Sequence, residues 1–115
     1  MKLLLVAPLA VLMALPVQAA LPAYQKDRLK ALGGIGASVC AFHRGLMTKE
    51  QSNQMANAFL RRNPGLGPAA NWAVDTKDGE NAMRITLKYL DPGCKSFREG
   101  SSNAYFKEIM RYVDK

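Results

Sequence analysis

Met83-Arg84-Ile85-Thr86-Leu87-Lys88-Tyr89 alternates apolar and polar residues at all seven positions, the period of a half-buried strand. Asp78-Gly79 upstream is a hairpin signal that would fold this strand back onto Trp72 and Val74. The same residues also fit a helix. On a helical wheel Ala82, Met83, Ile85, Leu87, Tyr89 and Leu90 fill one broad arc, and Glu80, Asn81, Arg84, Lys88 and Asp91 fill the other. Only Thr86 is out of place. With Asp78 as an N-cap and Asp91-Pro92-Gly93 as a stop, the helix is the preferred reading. The expected fold class is therefore all-α, and the alternative is α+β with a hairpin over residues 71–90.

The flanking segments read as helices too. Thr48 with Gln51 three residues on is a capping box, in which hydroxyl and amide side chains satisfy backbone N–H groups that have no intrahelical partner. It opens a helix from Lys49 to about Arg62, stopped by Asn63-Pro64-Gly65. Nearer the N-terminus, strong helix formers from Tyr24 to Leu32 predict a first helix ended by Gly33-Gly34, with Gly36 as a second break. From Ala37, the positions of Val39, Cys40, Phe42, His43, Leu46 and Met47 predict a second helix lasting until Gly45. Ser102 is the expected cap of a last helix whose apolar face includes Tyr105, Phe106, Ile109, Met110 and Val113. Together these predict a compact bundle of four to five short helices.

Composition is that of one folding domain, with 49% hydrophobic and 22% charged residues in 115. Met1-Lys2, the apolar run Leu3–Val17 and the small residues of Val17-Gln18-Ala19 make the three-part pattern of a signal peptide, residues 1–19, cut before Ala20. A spanning helix needs about 20 apolar residues, and this run is shorter and ends at Pro16, so no membrane span is expected after cleavage. Residues 20–115 then form a single domain in the periplasm or outside the cell. In such an oxidising compartment Cys40 and Cys94 should pair, joining the second helix to the chain just after the fourth. Closing a loop of 54 positions stabilises by roughly 4 kcal/mol in the chain-entropy model.

Cys40, Gly45-Leu46-Met47-Thr48, Gln51 and Cys94 resemble the pattern of a loose group of small exported cyanobacterial proteins, over roughly residues 33–94. Those have an early cysteine, a Gly and a capping Ser or Thr before an amphipathic helix, then a late cysteine. Here the proline of Pro92-Gly93-Cys94 precedes the late cysteine instead of following it. No activity attaches to the group, so the resemblance implies an exported two-cysteine helical scaffold and no function. In size and layout the chain also resembles periplasmic acid-stress chaperones.

One His and two Cys exclude mechanisms that need a second histidine and self-contained four-cysteine metal centres. Cys40 and His43 have the spacing of an imidazole-activated thiol, but a disulfide-bonded sulfur offers no thiolate. Gly65-Leu66-Gly67-Pro68-Ala69-Ala70 fits a nucleotide-loop pattern in letters only, since a helix precedes it where a strand is required, and it reads as a connecting loop. Asp75 and Asp78 read as turn and cap residues. No catalytic residue, metal or cofactor is expected.

What remains is charge. The chain carries +7, and +6 once Lys2 is removed. Arg44, Arg61 and Arg62 fall in the second and third helices, and Arg98 and Arg111 lie toward the C-terminus. If they converge, they form a basic face for anionic lipid, acidic polysaccharide or an acidic protein. Nucleic acid is not expected, since no basic-aromatic stacking motif occurs. The expected function is that of a non-enzymatic exported protein binding an anionic envelope component or partner. The alternative is a chaperone presenting Met47, Met55, Met83 and Met110 to client proteins.

Overall fold

The segment that decides the fold class is helical. In a computed structural model that describes residues 21–115, Lys77–Tyr89 forms one of five α-helices, and no strand occurs among the described residues. In chain order these are α1 (Ala23–His43), α2 (Lys49–Arg62), α3 (Gly67–Asp75), α4 (Lys77–Tyr89) and α5 (Ser102–Val113), with a 3-10 turn at Pro64–Leu66. The signal-peptide reading of residues 1–19 lies outside the described residues. No described helix is long and apolar enough to cross a membrane.

Thr86, the misfit on the α4 wheel, points into the core and is fully buried. Its hydroxyl donates to the Ala82 carbonyl one turn back at 2.9 Å, so its oxygen is left to accept from the buried Tyr105 hydroxyl of α5 at 2.8 Å. A lone polar residue in an apolar arc is thus matched by a lone phenol opposite. The cap of α4 differs from expectation. Thr76, not Asp78, is the N-cap, accepting from the Gly79 N–H at 2.9 Å. Asp78 and Glu80 instead lie in the first turn, where their charge favours the positive end of the helix.

The two helices expected before Gly45 are one. α1 runs 21 residues straight through Gly33, Gly34 and Gly36. Each interior glycine weakens a helix by about 1 kcal/mol relative to alanine, but here the missing side chains let neighbours approach. A Cβ on Gly34 would lie 2.2 Å from the Phe59 ring of α2, and one on Gly36 would meet the Thr86 methyl at 3.1 Å. Packing has overruled propensity. α1 ends as expected, at Gly45 in the left-handed region (φ +73°), where Leu46 N–H reaches the Ala41 carbonyl and Gly45 N–H the Phe42 carbonyl.

Two further boundaries depart from the sequence reading. Residues 65–70, expected as loop, split between the 3-10 turn and the start of α3, with Pro68 at the first turn where a missing N–H costs nothing. α5 begins at Ser102 after Ser101, and no side chain caps it; the Ser101 hydroxyl donates to the Arg98 carbonyl instead. α2 matches its expected bounds, with both bonds of the Thr48–Gln51 capping box formed.

α1 is the spine, packed by α2, α3 and α4, while α5 lies mainly on α4. One core gathers Leu29 and Leu32 of α1 with Trp72, Tyr105, Ile109 and Val113. A second joins Ala31 and Ile35 to Phe59, Leu66, Ala69 and Ala70. The Cys40–Cys94 disulfide forms, buried at the edge of the first core and tying α1 to the loop after α4.

Candidate functional site

The five arginines predicted as a basic face separate into two kinds. Arg44 and Arg98 act on the fold. The Arg44 guanidinium, just past α1, donates to the carbonyls of Leu87 and Leu90 at 3.3 Å each and to that of Asp91, and lies 3.7 Å from Cys94 Sγ. Arg98 Nε also donates to the Leu90 carbonyl, at 3.3 Å. Two cations therefore sit on the carbonyls that end α4, where the helix dipole is negative. Nearby, partial burial pushes the Asp91 carboxyl up, but bonds from Lys95 N–H and the Ser96 hydroxyl outweigh it and hold the group below its ordinary value.

All five arginines are exposed, but the side chains of Arg61, Arg62 and Arg111 make no hydrogen bond or ion pair with the described residues. Arg61 and Arg62 occupy the last turn of α2, and Arg111 the last turn of α5. These helices belong to different parts of the bundle, α2 against α1 and the 3-10 turn, α5 against α4. With extents of 35 × 30 × 24 Å and a Debye length of about 8 Å at physiological salt, neighbouring charges act together and distant ones do not. Arg61 and Arg62, adjacent in the last turn of α2, form a unit, and Arg111 stands on another helix. Among the described residues the one ion pair is Lys88–Glu108 at 2.9 Å. Lys88 and the Tyr89 hydroxyl both bond Glu108, which lowers that carboxyl.

The Cys40–His43 pair has lost its thiol. Cys40 is in the disulfide, and His43 is exposed in the last turn of α1 with its ring against Phe42. Among the described residues no group of three His, Cys, Asp or Glu side chains can hold a metal ion. Of the methionines, Met47, Met83 and Met110 pack against the first core and Met55 is exposed.

A concave site went unread in the sequence. Two adjoining depressions, about 300 Å³ and about 440 Å³, meet along Ile35, Val39 and Val74. The first is bounded by Ala56 and Leu60 of α2 and Ala70 of α3; the second by Met83 and Leu87 of α4, with His43, Glu80 and Arg84 as its polar groups. Ile35 forms the floor at 6% exposure, while Val74 on the rim is 58% exposed. Ile35, Val39 and Phe42 lie four and three apart, so one stripe of α1 faces this side and runs on to the exposed Phe42 near the end of the helix. The spacing was legible. That its walls would stop short of covering it depends on how α2, α3 and α4 are placed around α1, which no local pattern encodes.

Arg28 was also missed. Its guanidinium lies over the Tyr24 ring at 5.0 Å and the Trp72 ring at 4.6 Å and donates to the Val113 carbonyl at 2.7 Å, fastening the start of α1 to the end of α5. Set against known proteins, the chain matches no family model, no curated protein and no solved structure.

Proposed function

We propose that this protein is a non-enzymatic exported binding protein that meets an anionic partner through exposed arginines, with Arg61 and Arg62 as the principal pair. One observation carries the reading. The described residues hold fifteen Lys and Arg against nine Asp and Glu, and a single ion pair joins any of them. The excess charge is left facing solvent, where it raises the local concentration of anions and speeds their encounter. Arg44 and Arg98 have another task, holding the end of α4, and are set outside this surface.

Retention on vesicles of mixed neutral and anionic phospholipid, followed over a salt series, tests the reading. Wild type should be retained at low salt and released as salt rises; Arg61→Glu with Arg62→Glu should abolish retention. Retention of the double variant equal to wild type overturns the proposal. Arg44→Ala should lower stability and leave retention unchanged.

A further inference from the structure

We infer that the paired depressions along Ile35, Val39 and Val74 form a binding groove for a single-chain anionic amphiphile, a free fatty carboxylate. The inference deepens the proposed function, since it rests on the anionic character of the ligand assigned there.

The occupant is narrowed first by shape. Ile35 lies at the bottom of both depressions and is almost wholly covered, so a flat bilayer face cannot reach it. An apolar track runs from Ala56 and Leu60 across Ile35 and Val39 to Met83 and Leu87, which suits one extended polymethylene chain. The volumes of about 300 and about 440 Å³ fall at the size of small-molecule sites, roughly 300–1,000 Å³. Met83, unbranched and adaptable, lines the larger depression and can adjust to a chain of variable path.

Charge then selects the head group. Arg84 and His43 flank the larger depression, and Arg84 makes no ion pair although Glu80 is one turn away on the same helix. Glu80 opposes an anion at its own end, so the carboxylate belongs beside Arg84, with the tail running over Val39 toward Ala56 and Leu60. In the smaller depression the two hydroxyls are engaged, Ser38 donating to the Ile35 carbonyl and Ser52 to the Ser38 carbonyl. Asn53 and Asn71 stand on the exposed rim of that depression, and its floor of Ile35, Val39 and Ala70 is left to the apolar tail.

The test is a titration of the methyl-labelled protein with dodecanoate below its micelle concentration, read by nuclear magnetic resonance. Saturable shifts are expected at Ile35, Val39, Val74 and Leu87. Affinity should rise about fourfold per added methylene between octanoate and dodecanoate, and dodecyltrimethylammonium should bind about tenfold more weakly. Arg84→Glu should weaken dodecanoate about tenfold. Val74→Asp, on the exposed rim where the fold does not depend on it, should weaken it by a similar factor with unchanged circular dichroism. Equal affinity for the two head groups, shifts confined to Phe42, Leu46 and Met55, or a response only above the micelle concentration overturns the inference. Arg61→Glu with Arg62→Glu should leave dodecanoate binding intact. If vesicles are not retained while dodecanoate fills the groove, the surface reading alone fails; retained vesicles with silent groove methyls overturn the groove alone.

Discussion

The two sides of α1 are built from different materials. Toward the first core it sends Leu29, Leu32 and Cys40, and there it meets Tyr105, Ile109 and Val113 at zero exposure, a covalent cross-link and a buried hydroxyl pair. Toward the second it sends Ala31 and Ile35 against Phe59, Ala69 and Ala70, with Gly34 absorbing the Phe59 ring. Large side chains and the cross-link close the first side. Small ones bring helices close on the second, yet leave Val39 partly covered and Val74 at 58% exposure. Stability and opening have been placed on opposite faces of one helix.

The strongest way to break this division is to remove the staple. Cys40→Ser with Cys94→Ser, or reduction, should cost roughly 4 kcal/mol, and for a domain of this size the melting temperature should fall by roughly 15 °C or more. Amide exchange should locate the loss. If the first side owes its closure to the bridge, protection falls most around Leu90 and Tyr105 and least around Phe59. A uniform loss would show that the two cores are one cooperative unit, and an unchanged melting temperature would show that the bridge is irrelevant.

Next in size is the contact that lets α2 sit so close. Gly34→Ala improves helix propensity by about 1 kcal/mol, but its new Cβ lies 2.2 Å from the Phe59 ring. Overpacking of this kind costs about 1–3 kcal/mol, so destabilisation is expected in spite of propensity. Gly34→Ala with Phe59→Leu should recover part of the loss in a double-mutant cycle followed by denaturant unfolding. Full additivity would mean that the ring relaxes into the adjoining groove without strain, making the second side softer than the contact distance suggests.

How far the sequence reveals this arrangement differs between the two sides for a physical reason. Capping is local, so the Thr48–Gln51 box, the Gly45 terminus and the helical arc of α4 could be read from neighbouring residues, while the pairing of Cys40 with Cys94 followed from there being two cysteines and from the oxidising compartment expected of the N-terminal pattern. Glycine is where local reading failed. Gly34 and Gly36 look like punctuation unless the ring of Phe59 and the methyl of Thr86, distant in sequence, are known to press on them. The arginines pose the same problem. Arg44 and Arg61 are chemically equivalent as letters and both are exposed, and what separates them is that Arg44 bonds the carbonyls at the end of α4. Thr86 shows the converse, since its misfit on the wheel was a true signal of a buried partner.

The smallest effect concerns that partner. Thr86 spends its proton on the Ala82 carbonyl, so the Tyr105 hydroxyl is the donor between them. Thr86→Val therefore strands a buried donor and should cost about 1–3 kcal/mol, whereas Tyr105→Phe leaves Thr86 bonded to Ala82 and should cost about 1 kcal/mol. Burial raises the ionisation of Tyr105 above the unfolded value of about 10. Its contribution is accordingly complete below about pH 10 and is lost as pH climbs toward the folded value, because the native state then holds a proton that the unfolded chain has released. Tyr89, raised by its bond to Glu108, acts in the same direction from the surface. Denaturant midpoints of wild type and Tyr105→Phe should therefore converge above about pH 10, leaving in the variant the slope from Tyr89 and Lys88, both raised by their bonds to Glu108. Parallel midpoints through that range would show that the phenol ionises as freely in the fold as out of it, and that the first side is not sealed against water.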